Sequence, residues 1–209
     1  VAEKVELEIK KISKETLDSF IRREHYLHRA NSTKPTICYG IWSGGEIVAL
    51  IEWSAIFKPV LLRFPFLHHL EIIDNSRFLI RKEPTLFWAP PPIYNLGSRA
   101  LSLGIKEIRK DWEESTGVKP KLLITYVDKS RGYDGTVYRA ANWVEIEESA
   151  GKNYSKAKKI DYKPTKKKTF VYPCVKGSEW KPVTFFQKSY LRENWKRLNP
   201  VAQYNYAKV

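Results

Sequence analysis

The residues best suited to chemistry lie between Lys121 and Trp143, KLLITYVDKSRGYDGTVYRAANW. An apolar run, Leu122 to Val127, ends on Asp128. A polar turn follows, then a short helical pattern from Gly135 to Ala141 that carries Tyr138 and closes on Asn142 and Trp143. A carboxylate at a strand tip is where α/β sheets place functional groups. A phenol a few residues on could serve as an acid. Read alone, Asp128 is equally a turn cap, and Tyr138 equally a core tyrosine with a satisfied hydroxyl. Two further groups join them. His25 and His28, in REHYLHR, sit three apart on one face of a helix end. His25 suits a general base or a substrate-positioning group. The two imidazoles could share a metal, but a closed site needs more ligands than the chain offers nearby, so no metal is expected. Asn95, Gly97, Ser98 and Arg99 open a long helical pattern, where free amides and the helix dipole favour an anion such as a phosphate.

The elements that must position these groups read as follows. Val5–Ile9 alternates as a strand, and Ser13 caps a helix running to about Glu24. Ile37–Trp42 and Glu46–Ser54 form a hairpin about Ser43-Gly44-Gly45. Ala55–Leu70 is apolar and broken by prolines, a loop with an edge strand. Leu70–Ile80, which contains Arg77, is another strand. The long helix runs from about Ile93 to Ser115, with Gly117 as its left-handed stop. Leu122–Val127 shows little alternation, which suits a strand covered on both faces. Asp134 caps the short helix. Val144–Glu148 and Thr169–Tyr172 are a closing strand pair. The order predicts an α/β (α+β) fold with a mixed central sheet flanked by helices. It places one domain over residues 1–175 and an aromatic C-terminal extension over 176–209.

The chain has 209 residues and a formal charge of +14, with a pI near 9.6. A surplus that large points to a polyanionic partner, nucleic acid before membrane. Between Gly151 and Lys168, Lys152, Lys156, Lys158, Lys159, Lys163, Lys166, Lys167 and Lys168 alternate with Tyr154 and Tyr162. This segment reads as a mobile loop offering charge for phosphates and rings for stacking. Two cysteines, Cys38 and Cys174, make no disulfide framework and read as free thiols of a reducing compartment, the cytoplasm. No apolar run is long enough to span a bilayer, so no membrane partner is expected.

The ordered motifs REHYLHR, CYGIWSGGEIVALIEW, NSRFLI, NLGSRAL, TYVD and GTVYRAANW resemble the phage Mom DNA-modification proteins, within the N-acetyltransferase (GNAT) superfamily. Asp111-Trp112, LLITYVD, GTVYRAANW, SAGK and Val171–Pro173 also resemble a related family that includes the Druantia-A phage-defence protein and transposase-associated proteins. The resemblance covers residues 20 to 175. It implies a transferase acting on the exocyclic amine of adenine in double-stranded DNA, with the base flipped out. It makes His25, Arg77, Ser98, Asp128 and Tyr138 the site, with Tyr138 as acid for the leaving group. Asn95, Gly97, Ser98 and Arg99 would hold a donor of acyl-CoA type. The loop NLGSRA carries a single glycine, so it departs from the R/Q-x-x-G-x-G/A loop of ordinary N-acetyltransferases. The alternatives are a nucleic-acid-binding component of a defence or transposition system without chemistry, and an N-acetyltransferase of a protein or small amine.

Overall fold

The computed structural model describes residues 5–31, 35–56, 61, 63–64, 67–81, 93–149 and 166–174. The strands are β1 (Glu8–Lys11), β2 (Thr36–Ser43), β3 (Glu46–Ala55), β4 (Ile72–Ile80), β5 (Leu122–Asp128), β6 (Val144–Ser149) and β7 (Lys167–Pro173). The helices are α1 (Lys14–Glu24), α2 (Leu96–Thr116) and α3 (Thr136–Ala140). The strands form one seven-stranded sheet in the order β1-β2-β3-β4-β5-β7-β6. Every neighbouring pair is antiparallel except β4 and β5. The first strand starts later than its alternation suggests. The other strands and the hairpin fall where the pattern places them.

Strand alternation sorts the sheet into two faces. One packs under α2, whose Ala100, Leu101, Ile105, Ile108 and Trp112 bury against Tyr39, Ile51, Trp53, Ile73, Leu123 and Phe170. Each such large apolar side chain contributes about 1.5–3 kcal/mol on burial. The other face is covered by α1 through Leu17 and Ile21 on Cys38, Leu50 and Leu79. Leu61, Phe64 and Leu67 cover its far half, over Ile72, Leu122, Ile124 and Val171. The apolar segment after β3 therefore supplies part of the second layer, and no strand appears there among the described residues. Asp111-Trp112 is a clamp: Tyr39 donates to Asp111 Oδ2 at 2.5 Å, Lys11 pairs with Oδ1 at 2.9 Å, and Trp112 Nε1 donates to the Leu70 carbonyl at 2.8 Å.

The feature that creates a site is the split between β4 and β5. Their parallel register holds only for Ile72–Leu122, Ile73–Leu123 and Asp74–Ile124. Beyond that, β4 stays with β3 and β5 stays with β7. A β-bulge at the same point matches Glu52 to Arg77 and Trp53 to Asn75, leaving Ser76 as the extra residue. Bulges bend and twist a strand and re-aim its side chains. The two strands diverge, and their edges become cleft walls.

Two expectations are corrected. The backbone cap of α3 is Gly135, in the left-handed region at φ 87°; Asp134 accepts from the Thr136 amide at 2.9 Å one step outside it. Lys167 and Lys168 belong to β7 and not to a loop. The former lies opposite Asp128, and the latter pairs with Glu145 at 3.1 Å. The pairing of β6 with β7 itself falls as expected. Lys152, Lys156, Lys158, Lys159 and Lys163, and the extension 176–209, lie outside the described residues.

Candidate active site

The split opens into a cleft of about 910 Å³ walled by β4, β5, the end of α1 and the β5–α3 turn. His25, Arg77, Asp128 and Tyr138 all line it. By strand alternation Arg77 and Asp128 belong to the α1 face, with His25 and Tyr26 at the end of α1. Asn75 and Thr125 belong to the α2 face, where Tyr138 packs. Two sets of polar groups thus meet from opposite sides of the sheet.

Tyr138 is held by an aromatic block. Its ring lies 5.7 Å from Phe170, 5.3 Å from Trp143 and 6.3 Å from Phe78. Its hydroxyl donates to Asn75 Oδ1 at 2.9 Å. The direction of that bond is fixed from behind. Asn75 Nδ2 faces the carbonyls of Glu52 at 3.3 Å and Arg77 at 3.4 Å, so Oδ1 must turn to the phenol. Thr125 Oγ1 donates to the Asn75 carbonyl at 3.0 Å and lies 3.4 Å from the phenol oxygen. Burial pushes the phenol well above its usual range. Burial therefore keeps Tyr138 in the protonated form, with its proton directed at Asn75 Oδ1.

His25 caps α1, its amide donating to the Ile21 carbonyl at 3.2 Å. Its Nδ1 accepts from the Leu27 amide at 3.2 Å, so the neutral ring carries its proton on Nε2. Burial, then the charges of Arg77 and His28, push its pKa down to about 4. A ring so reluctant to be protonated is a poor base. It is a neutral hydrogen-bond donor and a positioning group. His28 turns outward, exposed, with Nδ1 against the Arg22 carbonyl at 2.9 Å. No cluster of metal-ligating side chains occurs among the described residues.

Asp128 is buried. Its Oδ1 accepts from the Ser130 amide at 2.9 Å and the Ser130 hydroxyl at 2.6 Å. Both contacts are to Oδ1, so turn capping and chemistry need not compete. Arg77 is anchored by the carbonyls of Arg29, at 3.1 Å, and Ser76, at 2.6 Å. Its charge holds down two carboxyls that burial raises, the buried Glu52 and the half-buried Asp74. Glu52 also has Lys14 Nζ at 3.5 Å. Asp74 is still pushed up to about 7, and its shielded Oδ1 meets no hydrogen-bond partner among the described residues.

The donor-binding quartet fares differently: Asn95, Gly97, Ser98 and Arg99 do not line the cleft. Ser98 Oγ donates back to the Asn95 carbonyl at 3.1 Å. Arg99 donates to the Val5 carbonyl. A Cβ on Gly97 would come within 2.8 Å of Ile80 and of Val137, so that glycine is required by packing. What remains for an anion is the helix end itself. Asn95 makes no side-chain cap bond and no acid occupies the first turn. The amides of Gly97 and Ser98 meet no backbone carbonyl among the described residues. Through Ile80 and Val137 this end abuts the cleft wall. The amides fit the anionic part of a donor, while the side chains do not supplement them.

Sequence reasoning missed Asn75, Thr125 and Tyr26, and gave no role to Tyr133, all of which line the cleft; it also missed Glu52 and Asp74, which do not line it but feel the charge of Arg77. A signal was present: Asp74-Asn75-Ser76-Arg77 is a polar run inside an otherwise apolar strand, a pattern that marks a bulge and a lined cavity.

The fold matches that of acetyltransferases. A probable acetyltransferase from Staphylococcus epidermidis superposes with a TM-score of 0.51 at 12% identity, covering 81% of this chain and 100% of that one. A protein assigned as a phosphinothricin N-acetyltransferase gives 0.52 at 11% identity, covering 82% and 100%. These likenesses define a GNAT-type fold. Within that fold, the model of the Mom protein family matches residues 6–208, and the chain belongs to that family. None of the curated proteins matches it.

Proposed function

We propose that this protein is a transferase of acyl-transfer type that modifies the exocyclic amine of adenine in DNA. The family and the fold support a transferase. The observation that carries the reading is the convergence, in one split of the sheet, of an oriented phenol from the α2 face and of Asp128, His25 and Arg77 from the α1 face. The DNA substrate rests on the +14 charge and on the family resemblance. A donor of acyl-CoA type would supply an activated acyl group. The amides of Gly97 and Ser98 would hold its anionic part by the helix-end field.

The roles divide by face. Asp128 Oδ2, which carries neither turn contact, accepts the amine proton as the nitrogen attacks, directly or through water. Tyr138 gives its proton to the leaving group. Thr125 Oγ1, 3.4 Å away, is then the donor beside the phenolate oxygen. His25 Nε2–H orients the acceptor, and the Arg77 guanidinium stabilises negative charge that develops in the cleft. The amine of a paired base is not accessible in a duplex, so the base is flipped into the cleft.

A second reading has an observation in its favour. Ser98 and Arg99 are committed to backbone carbonyls, as a scaffold that binds nucleic acid without a donor would allow. Digestion of DNA co-expressed with the protein, followed by nucleoside mass spectrometry, separates the two. The transferase yields a mass-shifted adenosine nucleoside absent from the empty-vector control. Unmodified DNA, with a known Mom protein active in parallel, contradicts the proposal.

A further inference from the structure

Three rings form a column at the α1 side of the cleft. His25 stacks on Tyr26, centroids 4.4 Å apart and planes 30° apart. Tyr26 meets Tyr133 at 5.5 Å and 46°. The guanidinium of Arg131 lies 5.9 Å from the Tyr26 ring centre. Exposure rises along the column: His25 is 5% exposed, Tyr26 is half-buried, and Tyr133 is 50% exposed. All three rings line the cleft.

A large aromatic side chain left half in water beside a cleft has an unused face. Tyr133 follows Gly132, in the left-handed region at φ 79°, which ends the turn begun by Asp128. The Asp128–Ser130 bonds fix that turn, so the catalytic carboxylate and the outer ring are placed by one short element. The inner rings are too close to admit a base between them, since an inserted ring needs about twice the base-stacking repeat of about 3.4 Å. The outer face of Tyr133 is the open end of the stack.

We propose that Tyr133 is the platform on which the acceptor nucleobase stacks, as the next ring of the His25–Tyr26–Tyr133 column. Arg131, exposed on the same turn, meets the phosphate beside that base. This deepens the nucleic-acid reading of the cleft and rests on it for the class of ligand, an unpaired base on a phosphodiester chain. Stacking a base on an aromatic side chain is tolerant of base identity, because every base has a π-face. The platform therefore supplies affinity and orientation, while recognition of adenine falls to the hydrogen-bonding groups deeper in the cleft.

The test is binding of a short single-stranded oligonucleotide carrying one 2-aminopurine, with Kd and fluorescence quenching read together. Replacing Tyr133 with alanine or leucine weakens binding roughly 5- to 150-fold and relieves the quenching. Tyr133→Phe keeps both. The dependence of Kd on salt is the same in all four proteins, because no phosphate contact is removed. Because Tyr133 is exposed, thermal unfolding should be unchanged, and that control shows the variants are folded. Parent-like affinity and quenching in Tyr133→Ala overturn the platform, as does loss of both in Tyr133→Phe. The transferase reading stands or falls separately. Tyr133-dependent quenching by a protein that leaves DNA unmodified supports the platform and contradicts the chemistry. Modified DNA with quenching independent of Tyr133 does the reverse.

Discussion

Replacing Gly135 with alanine tests how the aromatic block sets the phenol. Gly135 begins α3 at φ 87°, and a Cβ there would lie 2.2 Å from Phe170 Cζ and 2.4 Å from its Cε2. Two costs follow. An L-residue in the left-handed region loses about 1–2 kcal/mol. Phe170 is fully buried and stacked under Tyr138, so making room costs about 1–3 kcal/mol more, as for overpacked cores. The sum is about 2–5 kcal/mol, or roughly 4–20 °C in Tm for a domain of this size. Urea denaturation of Gly135→Ala measures it. A double-mutant cycle with Phe170→Leu separates the parts: the smaller side chain relieves the clash while the backbone cost stays. Movement of Phe170 also shifts Tyr138 from Asn75, so turnover falls even at temperatures where the variant is folded. A loss under about 0.5 kcal/mol, against the strain expected of a misplaced side chain, would refute the packing argument.

Other predictions follow from the same geometry. Stability should fall with pH through the His25 window. The unfolded imidazole takes up a proton near 6.5 and the folded one only near 4, so on the order of 3 kcal/mol present at neutral pH is lost as pH drops to about 4; His25→Asn flattens this slope in denaturation curves taken across that range. Tyr39→Phe strips the 2.5 Å donor from buried Asp111 and costs about 1.5–3 kcal/mol, read as a lower urea midpoint with unchanged m-value. Affinity for duplex DNA should fall steeply with salt, log Kd against log salt having a slope of about 0.9 per phosphate contacted; a flat salt profile contradicts a polyanionic partner.

Much of the fold was legible because local rules and packing agree. The hairpin at Ser43–Glu46, the helix stop at Gly117 and the two-face-buried β5 each follow from turn chemistry or apolar patterning. The cleft was not legible, because it depends on where two strands stop pairing. Nothing in the residues of β5 says that Asp74–Ile124 is the last parallel pair. The sequence pointed to Asp128 and Tyr138 but not to Asn75, which gives the phenol its direction. The anion-binding quartet misled in a specific way. Its residue types suit phosphate, yet Gly97 is required by Ile80 and Val137, and Ser98 and Arg99 by backbone carbonyls. Local composition does not reveal which polar groups tertiary contacts have already engaged. For His25, the sequence left open a base or a positioning group, and burial beside Arg77 favours the second.

The central claim is that the split sheet still performs chemistry. The most direct measurement compares the parent with the Tyr138→Phe/Asp128→Asn double variant by nucleoside mass spectrometry of co-expressed DNA. Folding and DNA affinity of both proteins are recorded alongside. The account predicts a modified adenosine with the parent, and a loss of at least about 100-fold in the double variant with binding retained. Equal modification by both proteins, or none by either with binding intact, contradicts it.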